Sequence, residues 1–183
     1  NRSHQVGDPA LYKVPIDTLL SKARVSELID GISMNKATPS SKIKPLRVIN
    51  ESKDTTHYSI IDAEGNAVSN TYTLGYSFGS GVTIPGTGIL MNNQMNNFAY
   101  RYGDSTIEGR VASPANRFEP GKKPMSTMAP TMVFDEKGEL ILITGSPGGS
   151  YIPAAILRVV SGVIDFDLNI GEATMLPRIH KDW

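Results

Sequence analysis

Two adjacent threonines, Thr55 and Thr56, begin a segment in which Tyr58 and Ile60 predict a β-strand. A threonine hydroxyl becomes an effective nucleophile when a base lies beside it, and the α-amino group of a chain that begins at the threonine can be that base. The reference pKa of such an amine, about 7.7–8.0, suits proton transfer near neutral pH. Cleavage between Asp54 and Thr55 would therefore activate Thr55, whose hydroxyl could make the cut by attacking the Asp54 carbonyl. The alternative is that the threonine pair only starts a strand.

A second strand, residues 67–74, is predicted to pair with the first across a short turn rich in Asp, Gly and Asn. If the hairpin closes at Asp62, antiparallel pairing places Thr73 opposite Thr56, one residue from Thr55. Two hydroxyl groups are therefore expected near the start of the first strand.

The residues before this hairpin have a different character. Residues 37–54 are polar, contain Pro39 and Pro45, and show no regular period, as expected for a linker that can be cut. Further upstream, apolar residues at helical spacing predict one helix over residues 15–31, which packs in the core and ends at Gly31.

A second hairpin, with strands at residues 132–134 and 140–143, leads into Gly145-Ser146-Pro147-Gly148-Gly149-Ser150 and then an apolar helix. A strand, a glycine loop and a helix in this order present backbone N–H groups to an anion. The loop lacks the Gly-Lys-Ser/Thr ending of a Walker loop, but it suits an oxyanion hole. Further on, Asn169 and Glu172 predict a capping box for a short helix.

Two polar segments lie between the hairpins. Residues 92–97 contain four asparagines and one glutamine, whose amides can bind a polar substrate. The alternative is a polar loop with asparagine in left-handed positions. Residues 99–120 are aperiodic and long for a loop, which predicts a lid or a disordered segment.

The composition excludes several classes of function. The 183 residues suit one domain and contain 18 Lys and Arg and 18 Asp and Glu, so we expect no nucleic-acid or membrane-surface partner. Cysteine is absent, and His4, His57 and His180 lack metal-ligand spacing, so we expect no metal and no cofactor. We also expect no membrane span and no signal peptide in this sequence.

Several short motifs, in their order along the chain, resemble those of the γ-glutamyltranspeptidases. They are Gly7-Asp8-Pro9, residues 41–45, Thr55-Thr56-His57-Tyr58-Ser59, Gly65-Asn66, Tyr72-Thr73, Asn92-Asn93-Gln94-Met95, Pro124-Met125-Ser126-Thr127 and Gly145-Ser146-Pro147-Gly148-Gly149. This resemblance implies an α+β N-terminal-nucleophile hydrolase, with a four-layer αββα sandwich present here only in part. Such enzymes are made as one precursor that cleaves itself into two subunits.

By the same resemblance, residues 1–54 are the C-terminal end of the large subunit with its linker, and residues 55–183 are the N-terminal part of the small, catalytic subunit. The rest of the large subunit is then an absent partner, and a fragment with unpaired sheet edges can associate with itself. The implied location is periplasmic or extracellular.

The resemblance implies an amide-cleaving enzyme in which Thr55 is the nucleophile and Thr73 hydrogen-bonds it. Gly148 and Gly149 would supply the oxyanion N–H groups. The γ-glutamyl group of a donor such as glutathione would pass to Thr55, and then to water or to an amino-acid or peptide acceptor. A catalytically silent fragment that keeps only the scaffold is the alternative.

Contacts to the donor are implied at three positions. Gln94 would face its α-amino group, and Ser126 and Thr127 would hold its α-carboxylate. An asparaginase-like enzyme of the same superfold is a further alternative, but it gives Ser126 and Thr127 no role.

Departures from the family pattern lie around the same part of the donor. This chain has Asn97 where the family usually has an Asp facing the substrate ammonium, Gly75 where members with a gated pocket have Asn, and Glu108 where they have a lid Tyr. A charged hydrogen bond is worth about twice a neutral one, so Asn97 and Gly75 are expected to relax the need for an α-amino group. A glutaryl-type amide acylase of the same family is therefore an alternative.

Self-cleavage requires the Thr55 hydroxyl to be aligned with the Asp54 carbonyl, and small misplacements are costly. The absent large subunit would normally hold the linker in place. We therefore expect the Asp54–Thr55 bond to be intact in the 183-residue chain, which should be inactive alone.

Overall fold

The computed structural model describes residues 5–39, 54–98 and 114–180. The chain forms two compact units, the first from the described residues of Asn1–Asn50 and Met95–Met125, and the second from those of Glu51–Gln94 and Ser126–Asp182. Its elements mix helices and strands: α1 (Ile16–Leu19), α2 (Lys22–Asp30), β1 (Thr55–Ile61), β2 (Ala67–Thr73), β3 (Thr131–Phe134), β4 (Leu140–Thr144), α3 (Ile152–Asp165) and α4 (Ile170–Met175). Within the described ranges, every helix is too short or too polar to cross a membrane.

The first hairpin forms as predicted, but its predicted register is wrong by one residue. Thr73 lies opposite Thr55 and not opposite Thr56. The cause is the turn, because the Asp62 carboxylate accepts the backbone N–H of Asn66 at 2.7 Å and its side-chain amide at 2.8 Å. These bonds draw Asp62 into the loop, so the last strand pair lies one residue earlier than expected.

The second hairpin and the two helices after it also form as predicted. β3 pairs with β4, and α3 buries Ile152, Ile156 and Val159 on one side. The capping box at the start of α4 is present, since Asn169 and Glu172 each accept the other's backbone N–H at 3.0 Å. These elements place a glycine loop between β4 and α3.

The single N-terminal helix predicted over residues 15–31 is wrong. α1 and α2 are separate helices, and neither contains a buried residue. The backbone of Ser21 is extended, and its hydroxyl accepts the backbone N–H of Arg24 at 3.1 Å, so Ser21 caps α2. Leu20, which we expected in the core, is 76% exposed. Gly31 follows the last residue of α2, as predicted.

The first unit is held together partly by Asp8, which is buried. Its carboxylate accepts the backbone N–H of Lys123 at 2.8 Å and that of Ala10 at 3.0 Å. These hydrogen bonds, the one from Lys123 first, hold the pKa of Asp8 below its usual value. The N-terminal turn is thereby joined to the segment that precedes Ser126.

A short 3₁₀ helix, Pro114–Asn116, lies in the same unit, and its residues Ala115 and Asn116 are buried. The alternative of a disordered segment is therefore wrong for residues 114–116, and the alternative of a lid stays a prediction. Residues 99–113, which include Glu108, lie outside the described residues.

Candidate active site

Thr55 and Thr73 face each other at the open end of the first hairpin. The Thr73 hydroxyl donates to the carbonyl oxygen of Asp54 at 3.1 Å, and it accepts the backbone N–H of Gly75 at 2.9 Å. The bond from Gly75 fixes the hydroxyl oxygen, so its proton points at the carbonyl. A donor on this carbonyl polarises the bond that we expect Thr55 to attack.

A cavity of about 300 Å³ adjoins this bond, and its lining includes Asp54, Thr55, Thr73 and Tyr76. This volume is at the lower end of the range for small-molecule sites. The hydroxyl proposed as nucleophile therefore borders space that a small substrate can occupy.

The strand end is connected to the polar segment at residues 92–97 through Gly75. Gly75 has φ of 96°, and a Cβ there would lie 1.7 Å from the Asn93 side-chain oxygen and 3.5 Å from Nε2 of Gln94. The same Asn93 oxygen accepts the backbone N–H of Tyr76 at 3.2 Å. Glycine is required here both by the backbone conformation and by the neighbouring amide. The structure thus brings Gln94 and Gly75 together, next to Thr73.

The glycine loop is connected to the first hairpin at its β4 end. The Ser69 hydroxyl of β2 donates to the Thr144 carbonyl at 3.0 Å. Beyond Thr144, Gly148 has φ of 121° and Gly149 has φ of 55°, which are values that favour glycine. The Gly148 carbonyl accepts the Tyr151 N–H at 3.0 Å, which starts the turn into α3. The oxyanion role of Gly148 and Gly149 stays a prediction.

His57 lies on β1 two residues after Thr55, and its hydrogen bonds connect residues of the first hairpin. Its Nδ1 lies 2.8 Å from the Thr71 hydroxyl and its Nε2 lies 3.0 Å from the Ser59 hydroxyl. The ring packs against Gly145, where a Cβ would lie 2.2 Å from it. Burial lowers the pKa of His57, which favours the neutral imidazole. The sequence could have indicated this residue, because side chains two residues apart on a strand lie on the same face, and His57 follows Thr55 by two residues.

Gly145→Ala is expected to destabilise the protein, because the added Cβ would collide with the hydrogen-bonded His57 ring. Overpacking of this kind costs about 1–3 kcal/mol of unfolding free energy. Urea denaturation measures the loss, with His57→Ala and the double variant completing a cycle. Removing the ring makes room for the methyl group, so the double variant should lose less than the sum of the single losses. Additive losses would show that the contact is absent.

The remaining predicted substrate contacts lie on short polar segments. The Ser126 hydroxyl accepts the Met128 backbone N–H at 3.1 Å, and Thr127 is half-buried. Asn97 ends the 3₁₀ helix Gln94–Asn97 and belongs to the first unit, whereas Ser126 and Thr127 belong to the second. The substrate roles of these residues stay predictions.

A metal centre was not expected, and the described residues contain no group of three His, Cys, Asp or Glu side chains that could hold a metal ion.

Known proteins similar to this chain were found both by a family model and among individual relatives. The family model described as Gamma-glutamyltranspeptidase matches residues 1–183. The chain is 46% identical to the glutathione hydrolase proenzyme of Escherichia coli K12 over 184 residues, which cover all of this chain and 32% of that protein. It is 37% identical to the Acylase ACY 1 proenzyme of Pseudomonas sp. strain SE83, covering 98% of this chain and 30% of that one. The chain thus spans about a third of the length of these curated relatives.

A solved structure supports the same relationship. An acivicin-inhibited gamma-glutamyltranspeptidase is 46% identical and aligns with a TM-score of 0.64, covering 70% of this chain and 68% of that chain. Its crystal structure is described as revealing critical roles for its C-terminus in autoprocessing and catalysis.

Proposed function

Because the chain belongs to the γ-glutamyltranspeptidase family, we propose that it carries the nucleophile of an acyl-transfer enzyme. Thr55 takes the γ-glutamyl group of glutathione or a related amide and passes it to water or to an amino-acid or peptide acceptor. The observation that carries the proposal is the arrangement of Thr55, Thr73 and the Asp54 carbonyl at one end of a hairpin. The hydrolase name and the proenzyme name of the E. coli relative support the reaction and the maturation.

The proposal extends to the organisation of a longer precursor. Residues 1–54 correspond to the end of a large subunit, residues 55–183 to the start of a small one, and the two hairpins to part of an αββα sandwich. The basis is that the relatives are about three times as long as this chain. A periplasmic or extracellular location, with no nucleic-acid partner, belongs to the same proposal.

Maturation proceeds by attack of the Thr55 hydroxyl oxygen on the Asp54 carbonyl carbon. The carbonyl oxygen gains negative charge, and the Thr73 hydroxyl already donates to it. The C–N bond breaks, the hydroxyl proton passes to the Thr55 nitrogen, and an ester joins the two residues. Water then hydrolyses the ester, which leaves an Asp54 carboxylate and a Thr55 with a free amine and a free hydroxyl.

Catalysis uses the amine that maturation releases. The amine takes the Thr55 hydroxyl proton as the oxygen attacks the γ-carbonyl of the donor. Backbone N–H groups of Gly148 and Gly149 are proposed to stabilise the oxyanion, and the leaving amine takes the proton. Water or an amino acceptor then cleaves the resulting ester by the reverse sequence.

Donor recognition is assigned to polar side chains. Gln94 and Asn97 contact the α-amino group, and Ser126 and Thr127 contact the α-carboxylate. A glutaryl amide lacks the amino group but keeps the carboxylate, so the neutral Asn97 disfavours it less than an Asp would. The 37% identity to a protein named Acylase ACY 1 proenzyme favours this second donor class as the alternative function.

Asn97→Asp is expected to raise the preference for γ-glutamyl over glutaryl anilides about tenfold, because a carboxylate binds an ammonium more strongly than an amide does. The ratio of kcat/KM for the two anilides measures this preference in the cleaved precursor. Asn96→Asp adds the same charge one residue away and should change the ratio little. An unchanged ratio in Asn97→Asp would mean that Asn97 does not discriminate the donors.

Turnover of a chromogenic γ-glutamyl anilide by the cleaved full-length precursor tests the proposed function directly. Release of the aniline, with formation of a γ-glutamyl dipeptide when an acceptor is added, is the expected result. A correctly cleaved precursor that turns over neither the γ-glutamyl nor the glutaryl anilide would instead be a catalytically silent scaffold.

The 183-residue chain alone is expected to remain uncut between Asp54 and Thr55 and to show no transferase activity. The solved relative, of which this chain covers 68%, is described as using its C-terminus in autoprocessing, which supports this expectation. Mass spectrometry should show one species near 19.8 kDa. Two fragments that separate before Thr55 would show that the chain suffices for its own processing.

A further inference from the structure

Asn116 is a buried polar residue to which the proposed mechanism gives no role. It is 3% exposed and ends the 3₁₀ helix Pro114–Asn116. Its side-chain nitrogen donates to the Asn97 carbonyl at 2.6 Å, and its side-chain oxygen accepts the Met125 backbone N–H at 3.0 Å. Both ends of one amide are therefore bonded to backbone groups 19 and 9 residues away along the chain.

The two bonded segments are the ones to which donor recognition is assigned. Asn97 carries the amide proposed to face the α-amino group, and Met125 directly precedes Ser126 of the pair proposed to hold the α-carboxylate. All three residues that take part in the two hydrogen bonds lie in the first compact unit. One rigid amide thus sets the positions of both segments.

The surroundings leave this amide little freedom. Ala115 is fully buried, and a Cβ at Gly7 would lie 1.9 Å from the Ala115 carbonyl oxygen, so the N-terminal turn packs directly against the 3₁₀ helix. Met125 is also buried. The bond to the Met125 N–H is buried and the bond to the Asn97 carbonyl is part-buried, so loss of either bond is expected to shift the segment that it holds.

We propose that Asn116 is a positioning residue for donor specificity, which holds the backbone of Asn97 and that of Met125, the residue directly before Ser126, in fixed positions. This inference rests on the proposed function. It assigns Asn116 no contact with the donor and no part in bond making. Its loss should therefore raise KM for the donor more than it lowers kcat.

Two substitutions separate the two hydrogen bonds. Asn116→Asp keeps an acceptor for the Met125 N–H but places a carboxylate against the Asn97 carbonyl, so it disturbs the side assigned to the amino group. Asn116→Ser is too short to reach either partner and disturbs both sides. Asn169→Ala is the matched control, because it removes an asparagine bonded to backbone at the cap of α4, away from the proposed machinery.

The experiment measures kcat and KM of the cleaved full-length precursor for γ-glutamyl and glutaryl anilides at pH 8, with thermal unfolding of each variant. Asn116→Asp should raise KM for the γ-glutamyl anilide about tenfold and that for the glutaryl anilide about twofold or less. Asn116→Ser should raise both, and Asn169→Ala should lower stability without changing either KM. If only one Asn116 variant is recovered in cleaved form, its KM values for the two anilides are sufficient to test the inference.

Several results would overturn the inference. Unchanged KM values in the Asn116 variants, at equal or lower thermal stability, would show that Asn116 only supports the fold. The same conclusion would follow if neither Asn116 variant yields cleaved protein while Asn169→Ala does. A fall in kcat with constant KM would place Asn116 in the chemical step. Absence of turnover by the unmodified cleaved precursor would instead refute the proposed function, so the two failures are distinct.

Discussion

Thr55→Ala is expected to abolish both self-cleavage and turnover in the full-length precursor. The methyl side chain cannot attack the Asp54 carbonyl, so the chain stays whole and no terminal amine is released. Loss of a nucleophile with its base should reduce kcat by about 10⁴-fold or more. Denaturing electrophoresis reports the uncut precursor, and the γ-glutamyl anilide assay reports the loss of turnover.

Thr56→Ala provides the matched control. Thr56 also borders the cavity beside Thr55, but it is exposed, and successive strand residues point to opposite faces. This variant should be cleaved and active within a few-fold of the unchanged protein. Thr55→Ser, which keeps a hydroxyl, should also cleave itself. A cleaved and active Thr55→Ala protein would remove Thr55 from the mechanism.

Thr73→Val is expected to slow self-cleavage about 10²- to 10³-fold, the usual cost of removing one donor to a developing oxyanion. Valine keeps the shape and strand preference of threonine but cannot donate to the Asp54 carbonyl. It also leaves the Gly75 N–H without its acceptor. The rate of appearance of the two subunits after rapid purification of the precursor measures the effect.

Thr73→Ser distinguishes loss of the hydrogen bond from disturbance of the strand. Serine restores the hydroxyl in a smaller side chain, so cleavage should return to within about tenfold of the unchanged rate. Equal rates in Thr73→Val and the unchanged protein would show that polarisation of the Asp54 carbonyl by Thr73 does not contribute. Slow cleavage in both variants would point to packing around Thr73.

Local patterns predicted much of what surrounds the site, because their causes lie within a few residues. The two hairpins, the glycine loop followed by a helix and the capping box at Asn169 all formed as the residue types indicated. The one-residue error in register also had a local cause, the side-chain bonds of Asp62 to Asn66. Turn chemistry of this kind shifts a strand pair without altering the strand pattern.

The N-terminal segment shows where local patterns fail. Residues 15–31 carry apolar residues at helical spacing, yet Ser21 divides the segment and Leu20 is exposed. Periodicity identifies a face that could be buried, but burial requires another surface to pack against it. The sequence pattern alone does not contain that information.

The sequence by itself determined the nucleophile candidate, the glycine loop and the family, because these depend on residue type and order along the chain. Only the tertiary structure decided that Thr73 donates to the Asp54 carbonyl, that His57 packs against Gly145 and that Asn116 bonds to Asn97. The residues in each pair lie 19 to 88 positions apart, and no local propensity specifies which distant groups meet. Such contacts form only when the packing of whole elements brings their atoms within hydrogen-bond or van der Waals range.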